Sequence, residues 1–133
     1  MRDPISRLKK AQALFNRHDI RDGDDADKPY VLDPLRDDVP EGWQGLLQEL
    51  VEDLVRLGWD CRLRQVKSKF GSLRFYVSQR DDATQDRIGF AEKRSAETCE
   101  DCGNRGTLLQ ENHWYSTLCE ECRSRRRAER ARK

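Results

Sequence analysis

Long apolar runs are absent from these 133 residues. The opening MRDPISRLKK has no apolar stretch behind its basic residues, which predicts neither a signal peptide nor a membrane span. A cytoplasmic protein with no membrane partner is expected. Histidine is scarce too: only His18 and His113 are present, far apart in the chain. A metal-dependent nuclease site needs several His, Asn or acidic ligands converging on one place, and this sequence does not supply them. No nucleophile and base pair can be assembled, and no βαβ pattern of the thioredoxin kind surrounds the cysteines. The expectation is a non-enzymatic protein with no catalytic residue and no small-molecule substrate.

What is present is charge. Charged residues make up 38% of the chain and hydrophobic residues 35%, a balance that suits a small core under much solvated helix surface. The formal net charge of +1 conceals an asymmetry. Residues 123–133, RSRRRAERARK, hold seven basic side chains against one Glu, so the stretch carries +6 and residues 1–122 carry −5. The molecule reads as an acidic body with a basic tail.

Four of the five cysteines stand in CEDCGNRGTLLQENHWYSTLCEEC, residues 99–122. Cytosolic thiols are kept reduced, so paired Cys-x-x-Cys motifs there point to metal rather than to disulfides. Cys99, Cys102, Cys119 and Cys122 have the spacing at which two tight loops close a tetrahedron around one structural Zn²⁺. Gly103 suits the turn of a metal knuckle. Four thiolates leave no open coordination position, which removes catalytic zinc. His113 is the one residue that could replace a cysteine as ligand, and beside Trp114 it reads instead as a surface residue of a hairpin. Cys61 stands alone and reads as a small buried hydrophobe.

Periodicity divides the chain into an α+β body and a C-terminal finger. Residues 1–40 form an N-terminal helix and an acidic loop. The helix spans 3–17, with Asp3 as N-cap, Pro4 behind it, and Ile5, Leu8, Ala11 and Phe15 on one face. The loop from 18 to 40 wraps the body; its Asp22, Asp24, Asp25 and Asp27 lack the glycine and closing Glu of a calcium loop and read as a solvated turn. Residues 41–97 form the body proper. Its long helix, Glu41–Leu57, carries Trp43, Leu46, Leu47, Leu50, Leu54 and Leu57 on one stripe and stops at Gly58. A β-hairpin follows, with strands near 60–67 and 72–78 joined through Lys69-Phe70-Gly71. Leu73, Phe75 and Val77 should face the long helix, with Arg62, Arg64, Arg74 and Tyr76 outward. A polar helix from Asp82 to about Ala96 turns Ile88 and Ala91 inward. Residues 98–122 form the four-cysteine finger: strands Thr107–Gln110 and Trp114–Leu118 turn at Glu111-Asn112, and a helix opens at the second Cys pair with Glu120 and Glu121 in its first turn. Knuckle, hairpin and helix in that order describe a treble-clef finger. A two-knuckle zinc ribbon is the close alternative and would lack the closing helix.

Three segments, GWQGLLQEL, KSKFGSLRFYV, and CEDCG with WYSTLCEEC, resemble a group of small uncharacterised bacterial and phage proteins. Those proteins run from a GW-leucine-rich helix through a KFGxLRFY hairpin to a C-terminal CxxCG...CxxC zinc module. The resemblance covers roughly residues 42–122. It implies the same architecture and the zinc, and it transfers no catalytic residue.

The basic tail of residues 123–133 supplies the candidate partner surface. Arg123, Arg125, Arg126, Arg127, Arg130, Arg132 and Lys133 are placed to contact a nucleic-acid backbone, with Arg62, Arg64 and Arg74 of the hairpin adding to the same face. The alternative is a protein-binding adaptor or inhibitor of phage or mobile-element type, with a purely structural zinc and an interface on the acidic body.

Overall fold

The computed structural model describes residues 4–131, and the expected N-cap Asp3 and the tail residues Arg132 and Lys133 lie outside them. The fold is α+β, with four α-helices and two small sheets. No helix among the described residues is long and apolar enough to cross a membrane.

Helix α1, Pro4–Arg17, buries Leu8, Ala11, Leu14 and Phe15, which recur at helical spacing. The side chain of Ile5, expected on the same face, is not among those described. The chain then enters the 18–40 segment, which the sequence presents only as a loop. Its first residues pair with the body sheet as β1, Arg21–Asp22, parallel to β2. Further along, the buried Asp37 carboxylate accepts hydrogen bonds from the Tyr30 hydroxyl at 2.7 Å and from the Asp33 and Val66 N–H groups at 2.8 and 3.3 Å. A buried carboxylate is tolerable only when so many donors meet it. Burial, reinforced by the Asp37 bond, pushes the Tyr30 hydroxyl pKa up. The four aspartates 22, 24, 25 and 27 form a solvated turn, with Asp22 and Asp25 accepting from the N–H groups two residues on.

The expected long helix begins as one 3-10 turn, Glu41–Trp43, and continues as α2, Gln44–Arg56. Trp43, Leu47, Leu50 and Leu54 are fully buried, as the stripe requires. Leu57 departs from it, being 50% exposed, while Val51 is buried in its stead. The reason is position: Leu57 is the C-cap residue, where the helix unwinds into Gly58 at φ +89°.

Strands β2, Arg62–Lys69, and β3, Ser72–Val77, are antiparallel. Their turn is Phe70-Gly71, with φ of +54° and +77°, the left-handed pair that matches hairpin twist. Strict alternation holds in β3, where Leu73, Phe75 and Val77 are buried. In β2 it fails, because a bulge between Leu63 and Gln65 inserts Arg64 and shifts the phase, so Leu63 and Val66, three apart, both point inward. Cys61 precedes the strand at φ +62° and is half-buried rather than buried.

Helix α3, Asp82–Ser95, is capped by Asp81, whose carboxylate accepts from Thr84 N–H, and it buries Ile88 and Ala91 as expected. Helix α3 runs along β3, and α2 packs on α3 and α1. β3 is a sheet edge, and α3 closes it: Ser95 Oγ accepts from Leu73 N–H at 2.7 Å and Glu92 Oε2 from Phe75 N–H at 3.3 Å. All these elements share one apolar core. Each large side chain fully buried in it contributes roughly 1.5–3 kcal/mol.

Candidate metal centre

Residues 98–131 have almost no apolar core of their own. Their buried cluster consists of Cys99, Leu118 and Cys122, with Leu109 and Cys119 packed against it. Cys99 and Cys122 are therefore much of the interior of this part of the protein, with Cys119 half-buried and Cys102 exposed. Cys99 and Cys102 flank a tight loop in which Gly103 N–H donates to Cys99 C=O at 2.9 Å and Gly103 adopts φ +83°. Strand β4, Thr107–Glu111, and strand β5, Trp114–Leu118, return the chain to Cys119. They turn at Asn112-His113, one residue later than the sequence suggests, with φ of +50° and +66°. His113 is thereby exposed in a turn, and it is not part of the thiol cluster. Helix α4, Glu120–Ala131, carries Cys122 in its first turn.

The four Sγ atoms lie within 4.8 Å of one another, with Cys102 and Cys119 at 3.7 Å. A tetrahedron with metal–sulfur bonds of about 2.3 Å has edges of about 3.8 Å. Disulfide sulfurs would be about 2.0 Å apart, and all five cysteines are free. The knuckle amides are turned toward sulfur: Asn104 N–H points to Cys102 Sγ at 3.5 Å and Cys122 N–H to Cys119 Sγ at 3.4 Å. Burial raises the Cys99 thiol, but the N–H groups of Cys119, Cys102 and Asp101 outweigh it and bring that thiol to about 7. Burial and the neighbouring sulfurs push Cys122 the other way. Four thiols this close cannot all ionise alone, and one cation replacing their protons resolves the conflict. The four cysteines can hold one metal ion. Among the described residues no other group of three or more His, Cys, Asp or Glu has metal-ligand proximity.

The body is fitted to this centre at two points that sequence reasoning missed. Gly42 N–H donates to Glu100 C=O at 2.8 Å, and a Cβ on Gly42 would fall 2.0 Å from Cys99 O and 2.7 Å from Gly103 N. Beside it, the fully buried Trp43 donates its indole N–H to Thr98 C=O at 2.8 Å. The second point is the Phe70-Gly71 turn. Gly71 C=O accepts from the buried Thr117 hydroxyl at 2.7 Å, and the Phe70 ring meets the Tyr115 ring edge-on at 5.5 Å. The GW and KFG motifs are thus where the body receives the finger.

The two faces of the β4–β5 hairpin have different neighbours, by the period of two. Leu108, Tyr115 and Thr117 face the body turn. Leu109, Glu111, Trp114, Ser116 and Leu118 face α4 across a groove of about 650 Å³.

The basic tail is not a loose end as far as it is described. It continues α4 to Ala131, and its arginines reach back to carboxylates. Arg126 grips Asp101 bidentately at 2.6 and 2.9 Å and reaches Glu100 at 3.3 Å. Arg123, Arg127 and Arg130 converge on Glu111 at 2.9, 3.2 and 3.3 Å. Hydrogen bonds from Arg123 and Arg130 hold the Glu111 carboxyl below its ordinary range. Arg125 pairs with Glu121 at 3.7 Å on the exposed side. Of the hairpin arginines, Arg62 donates to Gly23 C=O and Arg64 pairs with Asp24, so both are engaged with the β1 turn. The acidic residues inside Cys-Glu-Asp-Cys, with arginines at helical spacing after Cys122, were the legible signal for the Arg126 clasp. No known protein family, no curated protein and no solved structure matches the chain.

Proposed function

We propose that Cys99, Cys102, Cys119 and Cys122 hold one structural zinc ion and that knuckle, hairpin and α4 form a treble-clef finger. The close approach of four sulfurs, the donor type that favours zinc, supports the metal. The closing helix favours the treble clef over a zinc ribbon. When bound, zinc would supply cross-linking and charge neutralisation; with four protein ligands it has no position for water or substrate, so the metal takes no part in catalysis. Membership of the group of small bacterial and phage proteins belongs to the same proposal. It is supported by the roles of Gly42, Trp43, Phe70 and Gly71, motif residues that dock the finger.

The function we propose is that of a cytoplasmic nucleic-acid-binding accessory protein whose contact is α4 and the basic residues after it. The observation that carries this is the convergence on Glu111: one carboxylate arrays the Arg123, Arg127 and Arg130 guanidiniums along one helix, the last two exposed, and Arg125 stands exposed beside them. Such a row contacts phosphates without reading sequence. Changing Arg125 and Arg127 to Gln should lower the slope of log affinity against log salt for duplex DNA by roughly two phosphate contacts, about 1.8. An unchanged slope would remove α4 from the interface.

A second reading, a protein-binding adaptor, is favoured by the 18–40 segment, which leaves Leu35 94% and Val31 67% exposed beside a shallow cleft lined by Leu8, Leu32 and Pro34. It predicts a stoichiometric partner that survives nuclease treatment and is lost with Leu35→Asp. Retention of that partner by the Leu35→Asp chain counts against this surface.

A further inference from the structure

We propose that the junction between the body hairpin and the finger is a single-strand nucleic-acid surface, with bases stacked on its exposed rings and phosphates held by its lysines. The proposal rests on the nucleic-acid reading above and places a contact on a second face. That face is built by three elements. From the outer side of the β2–β3 hairpin come Lys67, Lys69, Arg74 and Tyr76; from the turn, Phe70; from the finger, Leu108 and Tyr115; from α3, Lys93. Phe70, Arg74, Lys93, Leu108 and Tyr115 line part of a shallow cavity of about 580 Å³, and Lys67, Lys69 and Tyr76 continue the outer side of the hairpin next to it.

Charge selects the occupant. Unlike the arginines of α4, Lys67, Lys69 and Lys93 make no ion pair among the described residues. Glu92 is the carboxylate in the cavity; it is turned to the backbone of Phe75, and burial raises its pKa. A cluster of unpaired cations on an otherwise acidic body is complementary to a polyanion. The rings select further. Phe70 is 60% exposed, with Tyr76 and Tyr115 less so, and the Lys67 and Lys69 ammonium groups lie 6.0 and 5.5 Å from the Tyr76 and Phe70 centroids. Cations interleaved with partly exposed aromatic rings suit a strand whose bases are unstacked and whose phosphates run alongside. An acidic peptide fits less well. Extended peptides dock by adding a strand to a free sheet edge, and here Ser95 and Glu92 already occupy the N–H groups of Leu73 and Phe75.

The test uses the metal-loaded 133-residue chain and a labelled oligothymidylate of about ten nucleotides, followed by fluorescence anisotropy. Phe70→Leu keeps apolar contact with Tyr115 but removes the π-face, and it should weaken oligothymidylate binding at least about fivefold. Lys67→Gln with Lys69→Gln should lower the salt slope by about 1.4, at 0.7 per single-strand phosphate contact. An unchanged metal content and melting temperature in each variant keep folding out of the comparison. Full affinity in the Phe70→Leu chain overturns the proposal. So does a duplex of equal length that binds equally tightly and loses equally with Phe70→Leu. So, too, does a labelled acidic peptide that binds while the oligonucleotide does not. If the oligonucleotide binding instead responds only to Arg125→Gln and Arg127→Gln, the α4 interface stands and the junction surface falls. If neither single strand nor duplex binds at low salt, both readings fall together.

Discussion

Cys122→Ser is expected to abolish metal binding and to unfold residues 98–131 while the body keeps its fold. The asymmetry follows from what each part has inside it. The body closes a continuous core of side chains from α1, α2, α3 and the three-stranded sheet. The finger buries only Cys99, Thr117, Leu118 and Cys122, with Leu109 and Cys119 partly covered, and each large apolar side chain contributes at most about 3 kcal/mol. That is less than the conformational entropy of some thirty residues at about 1–2 kcal/mol each. The proposed four-thiolate zinc site would contribute roughly 10–16 kcal/mol, the largest single stabilising contribution open to this module. Serine at position 122 removes a ligand and puts a hydroxyl into the one dry spot of the module. Hydrogen exchange measures the outcome: amides of β4, β5 and α4 should lose protection, and those of α2 and β3 should retain it. Trp43, whose indole N–H would lose Thr98 C=O, should report the change by a fluorescence shift. Finger amides that stay protected in this variant would show that the module folds without its metal.

Gly42→Ala should have the second-largest effect, through a residue that is no ligand. The added Cβ would overlap Cys99 O at 2.0 Å, Gly103 N at 2.7 Å and the Glu100 carbonyl carbon at 2.8 Å. All three are backbone atoms of the knuckle, and none can rotate aside as a side chain could. Either the finger moves off the body or the Cys99–Cys102 loop distorts. The expected cost is about 3 kcal/mol, the upper range for overpacking, together with weaker metal retention against a chelator. Gly45→Ala is the control. Nothing lies within 4 Å of its Cβ position, and alanine inside α2 should stabilise by about 0.5–1 kcal/mol. Equal melting temperatures for the two variants would mean that Gly42 does not fix the docking.

The contrast between these two glycines shows where the sequence was legible and where it was not. Periodicity exposed α2 because its leucines face one core, and spacing exposed the thiols because each Cys-x-x-Cys pair can bring two sulfurs to one ion. Both signals are short-range. Gly42 and Gly45 look alike in GWQG, and only the arrival of Cys99 and Gly103 from some sixty residues away distinguishes them. Gly71 reads as a turn residue, which it is, but its carbonyl also receives Thr117 from the finger. The bulge at Arg64 escaped because alternation was assumed to persist through β2. The 18–40 segment, dense in Asp and Pro, hides a buried Tyr30–Asp37 pair, since a satisfied polar core leaves no apolar pattern. The arginines after Cys122 show the same limit from the other side. Their charge was plain in the sequence, but their pairing with Glu111, Asp101 and Glu100 depends on the hairpin and knuckle folding back beside α4.

Native mass spectrometry of the freshly purified chain tests the central claim most directly. One zinc ion per molecule is predicted, with no disulfide, and with Cys99, Cys102, Cys119 and Cys122 becoming alkylatable only after the metal is stripped. A metal-free chain carrying two intramolecular disulfides among those four cysteines would contradict it.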